Sequence, residues 1–370
     1  MREILFVVGE PSGDLHAAKV ASALKAADPL RPLAGVGGER MRLAGVSLIE
    51  HSERLAAIGF TEVLRHIPKH LRLLRTLKAR LASGNVGLVI LMDYPGFNMR
   101  VAEAAHAAGV PVLYYITPQV WAWGADRLPK LARWVSKAAV ILPFEEALLR
   151  QHGVDATFVG HPLLDRAAEL PEPAAARLTL GLDPHAPVLA VFPGSRKSEL
   201  ARHLAPFMAT ARELTHRHPA LQVIVSAAPG ITIDPAICPY PVVRDQSFTV
   251  LRAATAGLLK SGTTTLEAAV AGLPHIIAYR TSAISYAIAR RVVKIPNIGL
   301  VNVVAGREVS REFVQDAIVP SMMADALEPL LQMGHPARAQ ALAGLADVRA
   351  RLGEPGASGR AAAFARALVR

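Results

Sequence analysis

The stretch AGLLKSGTTTLEAAVAGLPHII, residues 256–277, predicts a β-strand, a tight turn and a helix in direct succession. A short apolar run leads into a turn at Ser261, Gly262 and Thr263, and an alanine-rich helix is predicted over residues 264–271. Glycine lets backbone N–H groups come close to a ligand, and the unpaired amides at the start of a helix favour phosphate. The stretch therefore predicts an anion-binding turn at the end of a strand in an α/β domain.

Glu267 follows one turn inside this predicted helix. Its carboxylate can accept hydrogen bonds from the two hydroxyls of a ribose, or it can simply stabilise the positive end of the helix dipole. A plain cap needs one hydroxyl, whereas this turn supplies several, and that difference favours a bound ligand.

Composition indicates a globular protein with an anionic partner. The 370 residues are 52% hydrophobic and 19% charged, which argues against a disordered chain and allows two α/β domains. A net charge of +11 points to nucleic acid, a phosphorylated substrate or an acidic membrane surface. The single cysteine, Cys238, excludes an internal disulfide and is typical of a reducing compartment. No apolar run is long enough to span a bilayer, so any membrane contact is expected to be peripheral.

Strand and helix patterns alternate along the chain, as in parallel sheets covered by helices. The predicted strands are residues 4–8, 32–36, 86–92, 110–116, 138–142, 157–159, 188–192, 221–226, 242–243, 257–259 and 275–279. A proline-rich segment, residues 162–187, interrupts the pattern and is interpreted as a linker. The sequence therefore predicts two Rossmann-like, doubly wound α/β domains facing a central cleft. They are residues 1–165 and 166–344; whether a helix at about 345–370 packs back on the first is left open.

Ligands in such sheets bind beyond the carboxyl ends of the strands, so the turns there hold the candidate residues. The first strand is followed by GEPSGDLH, with Glu10, Ser12, Gly13 and Asp14 ahead of a helix predicted to begin near Leu15. This is not a P-loop, because no Gly-Lys-Ser/Thr follows. The turn can supply a proton-accepting acid, Glu10 or Asp14, with Ser12 and Gly13 as candidate contacts for the acceptor, or Ser12 and Asp14 can merely cap the helix.

Two later turns of the first domain carry further candidates. The strand over residues 86–92 ends in DYPGFN, where the Asp93 carboxylate can accept a proton from a bound hydroxyl. Asn98, close behind, is a candidate contact for the acceptor. The next strand leads into TPQVWAWGADR, where Gln119 and Trp121 can contact a sugar face or an acyl chain.

In the second domain, FPGSRKSEL follows the first strand. The turn residue Ser195 and the guanidinium of Arg196 are predicted to bind a diphosphate, because an arginine fork matches phosphate oxygens bidentately. No acidic pair stands near to carry a metal, which suggests a metal-independent reaction. Farther on, LVNVVAGREVSREFVQ holds polar residues that can border the nucleotide: Asn302, Arg307, Glu308 and Gln315.

A basic amphipathic helix is predicted within IGFTEVLRHIPKHLRLLRTLKARL, which begins at Ile58. Its leucines, Leu71, Leu74, Leu77 and Leu81, recur at helical spacing among lysines and arginines. Such a helix can lie on an anionic membrane or pack one face on its own domain, and Ile58 and Phe60 favour the membrane. His66 and His70 flank Pro68, which argues against a helical metal pair.

Together these motifs resemble the lipid-A-disaccharide synthase family, inverting glycosyltransferases of the GT-B type. The resemblance covers nearly the whole chain. The motifs are GEPSGD, IGFTEVL, DYPGFN, TPQVWAW, LPFE (142–145), GHP (160–162), PGSR, SGTTTLE and LVNVVAGRE with Gln315. The resemblance implies transfer of diacylglucosamine from its UDP donor to diacylglucosamine 1-phosphate, giving the β-1,6 disaccharide and UDP, with no cofactor and no metal.

The resemblance also implies residue roles. Asp93 takes the position of the family's essential aspartate, and Arg196 that of its essential arginine. The positions matching UDP-binding residues are Ser261, Gly262, Thr263, Glu267 and Asn302. Three residues differ from those expected in the family: Gly96, Thr255 and Val301. Gly96 stands where the family often has an aspartate, so one candidate base is missing. Asp93 or an acid of the first turn, Glu10 or Asp14, is then expected to deprotonate the acceptor 6-hydroxyl.

Two other classes stay open. Another GT-B enzyme, such as a UDP-N-acetylglucosamine transferase or epimerase, would share the domains but would not need a basic amphipathic surface. A nucleic-acid-binding module would explain the charge, but no recognised binding motif occurs, so no nucleic-acid partner is expected. The predicted location is the cytoplasm with peripheral contact to the anionic inner membrane leaflet, and a homodimer is left open.

Overall fold

The computed structural model describes residues 1–9, 11–52, 60–292 and 295–370; within these ranges the side chains of residues 11–12, 60–66, 284, 288–290 and 292 are not described. The chain divides into two compact units. The first consists of Met1–Asp165 and Gly353–Arg370, and the second of Arg166–Leu352.

The first unit contains a parallel sheet with seven strands among the described residues. They are β1 (Glu3–Val8), β2 (Leu33–Gly37), β3 (Ser47–His51), β4 (Val86–Met92), β5 (Val112–Tyr115), β6 (Lys137–Val140) and β7 (Ala156–Phe158), in the order β3-β2-β1-β4-β5-β6-β7. The central strands are continuous apolar runs such as EILFVV and VGLVILM, because helices cover both faces of the sheet. The order reverses at β1 and β4, which is where a doubly wound sheet opens a ligand-binding crevice.

The helices of the first unit are α1 (Pro11–Ala27), α2 (Glu39–Leu43), α3 (Phe60–Ala82), α4 (Pro95–Ala107), α5 (Leu128–Trp134) and α6 (Pro143–Gln151), and also the C-terminal helix (Ala357–Leu368), which is α15 in chain order. The C-terminal helix packs on α1, and its small residues Ala357, Ala361 and Ala365 are fully buried in the core on that face of the sheet. The carboxyl-terminal segment therefore completes the first core rather than the second.

The second unit repeats the architecture, with a parallel sheet of six strands in the part of the unit that the structure describes. Its strands are β8 (Val188–Phe192), β9 (Gln222–Ala227), β10 (Val242–Arg244), β11 (Ala256–Lys260), β12 (His275–Tyr279) and β13 (Glu312–Val314), in the order β10-β9-β8-β11-β12-β13. Its helices are α7 (Pro173–Thr179), α8 (Lys197–Arg217), α9 (Ser247–Ala253), α10 (Thr264–Ala271), α11 (Ala283–Val292), α12 (Leu300–Ala305), α13 (Pro320–Leu331) and α14 (Pro336–Arg351). In both described sheets the order reverses at the first strand of the unit.

The predicted fold class of two Rossmann-like α/β units is confirmed, and every predicted strand is present with ends shifted by at most two residues. The edge strands β3 and β13 were not predicted. Residues 162–187 are not a plain linker, because they contain α7 and belong largely to the second unit. The chain returns to the first unit at Gly353, later than the predicted 345. None of the described helices is long and apolar enough to cross a membrane.

Candidate active site

Two turns of the second unit emerge side by side because their strands are neighbours. β8 and β11 pair in parallel with Phe192 opposite Leu259, so the PGSR turn and the SGT turn leave the same edge of the sheet. Gly194 in the first turn has φ +132°, a conformation that favours glycine. The side chain of Arg196, which follows, is 63% exposed. This edge therefore presents a cationic side chain beside a glycine turn, as the sequence predicts.

The SGT turn leads directly into α10, whose N-cap is Thr263. Within the described part of the chain no side-chain hydrogen bond caps this helix, and the first amides of a helix have no partner inside the helix. Ser261 is buried, and its hydroxyl donates to the backbone oxygen of Ile298 at 2.9 Å. We therefore assign Ser261 to holding the turn, while the amides at Gly262 and Thr263 are the groups suited to phosphate.

Glu267 lies one turn inside α10 and is nearly buried, with its side chain 16% exposed. Burial raises the pKa of its carboxyl group, and the nearby Arg166 partly offsets this effect. The Arg166 guanidinium stands 3.9 Å from Glu267 Oε1 and stacks on the ring of Phe248. Because Arg166 is as far as 3.9 Å away, the carboxylate retains the capacity to accept hydrogen bonds from a ligand hydroxyl pair.

Asn302 has a structural role, and the prediction that its side chain binds the nucleotide is corrected. The side chain is fully buried. Its Nδ2 donates to Ser310 O and Glu312 Oε1 at 2.7 and 2.8 Å, and its Oδ1 accepts from the amides of Val309 and Ser310. Both N–H groups and both lone pairs are thus occupied, so the side chain fixes the loop between α12 and β13.

Gln315 is corrected in the same way. Its side chain pairs with the backbone of Thr281, accepting from the amide at 2.7 Å and donating to the carbonyl at 3.2 Å. Its own carbonyl accepts from the Arg280 guanidinium at 3.0 Å. Gln315 therefore ties the ends of β12 and β13 together, in a left-handed backbone conformation with φ +54°.

In the first unit, Asp93 follows β4 at the point where the strand order reverses. Asp93 and Tyr94 have φ +46° and +50°, two consecutive left-handed residues without a glycine. Such a conformation costs free energy and is retained where the surroundings impose it. The Asp93 amide donates to Ile116 O at 3.1 Å. Since Met92 pairs with Val8, Asp93 lies beside the turn after β1, where the Tyr94 ring packs on Gly9.

Asn98 and Tyr114 hold the Asp93 backbone from within the core. Asn98 Nδ2 and the Tyr114 hydroxyl both donate to Asp93 O at 2.7 Å. Burial, reinforced by the Asp93 charge, keeps the pKa of Tyr114 well above its usual range, so the hydroxyl stays protonated and donates. Asn98 is fully buried. Its predicted contact with the acceptor is therefore corrected: it positions the strand end instead, and Tyr114 has no equivalent among the predicted site residues.

The turn after β1 also differs from the prediction. The Asp14 carboxylate accepts from the amides of Gly38, Arg40 and Met41 at 2.7, 3.1 and 3.2 Å, and the residue is buried. It caps α2, and this occupation corrects its assignment as a candidate base. Gly13 allows close packing of α1, because a Cβ there would stand 2.7 Å from Val8 Cγ1. The predictions for Glu10 and for the side chain of Ser12 lie outside the described residues, and α1 begins at Pro11.

The two predicted residues of the TPQVWAW loop differ in their surroundings: Gln119 lies at the surface, and Trp121 is held by a hydrogen bond. Gln119 is exposed. Trp121 is half-buried, and its indole Nε1 donates to Glu145 Oε1 at 3.0 Å. Burial raises the pKa of Glu145 to about 7, although hydrogen bonds from the Leu142 amide and Trp121 act in the opposite direction. Trp123 is the more exposed indole at 44%, and the guanidinium of an arginine stacks on it.

Helix α3 presents both a buried and an exposed apolar face. Leu74, Leu77 and Leu81 are buried in the first core, as their spacing predicts. Leu71 is not part of that face: it is 42% exposed, like Ile67. The basic residues on the exposed side are Lys69, Arg72, Arg75 and Lys78. The predictions for Ile58 and for the side chain of Phe60 lie outside the described residues.

No group of three histidine, cysteine, aspartate or glutamate side chains suited to a metal ion occurs in the parts of the chain that are described. The expectation of a metal-independent reaction stays a prediction.

The two units have the GT-B fold, which glycosyltransferases share with UDP-sugar epimerases. One similar solved structure is the glycotransferase of kitacinnamycin. The match covers 100% of this chain and 99% of the glycotransferase chain, with a TM-score of 0.63 at 15% identity. The UDP-N-acetylglucosamine 2-epimerase from Neisseria meningitidis, solved bound to UDP-GlcNAc, covers 99% of both chains with a TM-score of 0.58 at 12% identity. At such low identity these likenesses establish the fold alone.

The sequence comparisons are more specific. The family model described as lipid-A-disaccharide synthetase matches residues 4–354. The lipid-A-disaccharide synthase of Geobacter metallireducens is 39% identical over 370 residues, covering 98% of this chain and 96% of the relative. The chain therefore belongs to the lipid-A-disaccharide synthetase family.

Proposed function

We propose that this chain transfers 2,3-diacylglucosamine from its UDP donor to the 6-hydroxyl of 2,3-diacylglucosamine 1-phosphate. The products are the β-1,6 disaccharide 1-phosphate and UDP. The observation that carries the proposal is the family match over residues 4–354, together with relatives of the same name at about 40% identity along the whole chain.

The second unit has the chemistry to bind the donor. Arg196 supplies an exposed guanidinium beside the glycine turns, and the amides at Gly262 and Thr263 lie at the start of α10, which no described side chain caps. Both kinds of group bind phosphate oxygens. We assign the ribose hydroxyls to Glu267, whose carboxylate is one turn inside the same helix. The UDP-sugar bound to the Neisseria epimerase, which has this fold, supports the same type of ligand.

The first unit supplies the base. The Asp93 carboxylate takes the proton from the acceptor 6-hydroxyl, and the oxygen attacks the anomeric carbon of the donor sugar. The bond from that carbon to the diphosphate breaks, and UDP leaves carrying the electron pair. Arg196 and the amides of α10 stabilise the charge that develops on the departing diphosphate. Attack on the face opposite UDP inverts the anomeric centre.

A direct assay tests this proposal. Pure protein is incubated with UDP-2,3-diacylglucosamine and 2,3-diacylglucosamine 1-phosphate in detergent micelles with EDTA. We expect disaccharide 1-phosphate and UDP to form in equimolar amounts. Mass spectrometry detects the disaccharide, and an assay of UDP release measures the UDP. Turnover of UDP-N-acetylglucosamine in place of the acylated donor would indicate a different GT-B enzyme, and complete loss of activity in EDTA would contradict the metal-independent mechanism.

We further propose that α3 attaches the first unit to an anionic membrane surface. Its exposed face combines Ile67 and Leu71 with Arg72, Arg75 and Lys78. Exposed aliphatic side chains among basic ones are typical of helices that lie in a membrane interface. The substrates are themselves lipids, which accounts for such a surface on a glycosyltransferase.

Reversing two charges on α3 tests this membrane contact. Each basic residue near an anionic surface contributes about 1 kcal/mol, so Arg72→Glu with Arg75→Glu is expected to lower the partition coefficient at least ~30-fold. The measurement is co-flotation with phosphatidylglycerol vesicles, compared with phosphatidylcholine vesicles. Arg40→Glu with Arg366→Glu makes the same charge change at exposed positions of other helices in this unit. Equal loss of binding in both pairs would show that net charge alone is responsible.

A further inference from the structure

Glu199, in the first turn of α8, connects the two glycine turns of the second unit. Its Oε2 accepts from the Ser195 amide at 2.9 Å, and its Oε1 accepts from Lys260 Nζ at 2.9 Å. Ser195 belongs to the turn after β8, and Lys260 is the last residue of β11. The Glu199 and Lys260 side chains are only 11% and 17% exposed. One carboxylate thus joins two neighbouring strand ends through nearly buried contacts.

The carboxylate also lies between two cations. Arg196 Nη1 is 3.7 Å from Glu199 Oε1, the same oxygen that accepts from Lys260 Nζ. Burial acts to raise the pKa of Glu199, but the Lys260 ammonium, the Ser195 amide and the Arg196 charge together outweigh it and lower the pKa. Glu199 is therefore ionised, and its negative charge keeps Arg196 and Lys260 near each other at the same sheet edge.

The surrounding packing fixes Glu199 in this position. A Cβ at Gly194 would stand 2.6 Å from Glu199 Cβ, so the glycine turn wraps directly on the side chain. One turn along α8, the buried His203 bonds Glu199 O through Nδ1 at 2.8 Å and accepts the Arg280 amide on Nε2. Burial foremost lowers the pKa of His203, which keeps the ring neutral and suits both bonds. The helix start is thus anchored to the end of β12 as well.

Lys260 stands next to the turn that opens α10. Its Nζ lies 3.5 Å from the position a Cβ of Gly262 would take. It also lies 5.7 Å from the centre of the Tyr279 ring. A phosphate on the uncapped amides of α10 would therefore have this ammonium as a neighbour, in addition to Arg196.

We propose that Glu199 is a positioning residue that sets Arg196 and Lys260 for the donor diphosphate, with Lys260 supplying a second positive charge. This inference rests on the proposed function, since it assumes a nucleoside diphosphate as ligand. Without the carboxylate, Lys260 and Arg196 repel each other and the Ser195 turn loses its acceptor.

The test uses Glu199→Gln and Lys260→Met separately and combined. Hydrogen bonds to charged groups are strong, so each single variant is expected to bind UDP about tenfold more weakly. Uridine, which lacks the phosphates, is expected to bind each variant as it binds the parent. In the Lys260→Met background, the Glu199→Gln change is expected to have a smaller effect than in the parent, because the part of its action that passes through Lys260 is already lost. Calorimetry measures the affinity for UDP, and ligand-observed NMR measures the affinity for uridine.

Glu213→Gln is the matched control, because Glu213 pairs with Arg217 on the same helix away from the strand ends. Equal loss of UDP and uridine binding would show that Glu199 acts only on stability. Additive effects in the double variant would show that Glu199 does not act through Lys260. Either result would overturn the proposal. Unchanged UDP affinity in both single variants would overturn it as well. If Glu199→Gln does not fold, Lys260→Met alone decides by the same UDP and uridine comparison. A parent protein that binds no UDP would instead refute the proposed function.

Discussion

Replacing Asp93 with asparagine is expected to lower the turnover number by about 10²–10⁴-fold and to leave the affinity for UDP nearly unchanged. Asparagine has the same shape and tolerates the left-handed backbone conformation that Asp93 adopts at φ +46°. It cannot take a proton from the acceptor 6-hydroxyl. UDP affinity is expected to persist because the residues we assign to UDP belong to the other unit.

The measurement combines disaccharide formation with calorimetric binding of UDP. The control is Asp155→Asn, because Asp155 is a largely exposed carboxylate of the same unit, in a surface pair with Lys137 that contributes little to stability. The control is expected to retain parental turnover. Full activity of Asp93→Asn would remove Asp93 from the mechanism, and equal loss of UDP binding would assign it a structural role instead.

The strands of both units were predictable because a buried parallel strand is a continuous apolar run. Turn residues stand at both ends of the apolar runs VGLVILM in β4 and VLAVF in β8, and such short bounded runs indicate buried strands. Of the four edge strands in the described sheets, β7 and β10 were predicted, but β3 and β13 were not. β3 reads SLIEH and β13 reads EFV; both are short and partly polar, because an edge strand is only partly covered and needs fewer apolar residues.

The candidate site shows a sharper limit. Polar residues after a strand can bind a ligand or satisfy buried backbone, and composition does not distinguish the two. Asp14 caps α2, whose amides come from residues at least 24 positions away, and Asn98 reaches the carbonyl of Val7 across 91 positions. Asn302 uses both of its polar atoms within its own loop. Only the three-dimensional structure brings these partners together.

The same limit explains which residues were missed. Tyr114 lies in the middle of the apolar run VLYY, and nothing in that run indicates that its hydroxyl reaches Asp93 O. Glu199 follows PGSRKS as an ordinary acid in a first helical turn, a position where acids are common. Its contact with Lys260 could not be anticipated, since 61 positions separate them and the parallel pairing of β8 with β11 brings them together.

Replacing Arg196 with alanine is expected to lower kcat/KM for the UDP donor by about 10²–10³-fold, the usual cost of losing one group that stabilises developing charge. The side chain is 63% exposed, so the thermal midpoint is expected to stay close to that of the parent. Arg196→Lys is expected to recover only part of the activity, because an ammonium restores the charge without the bidentate fork.

Lys197 provides the matched control for this loss of charge. It is the next residue, it is equally a cation, and it is exposed at the first position of α8. If long-range attraction for the anionic donor explains the role of Arg196, Lys197→Ala should cost as much, and both losses should shrink as ionic strength rises. A contact with the diphosphate requires a different outcome: a large loss at Arg196 that persists at 0.5 M salt, and nearly parental kinetics at Lys197. Equal, salt-sensitive losses would therefore exclude Arg196 as the group that stabilises the leaving UDP.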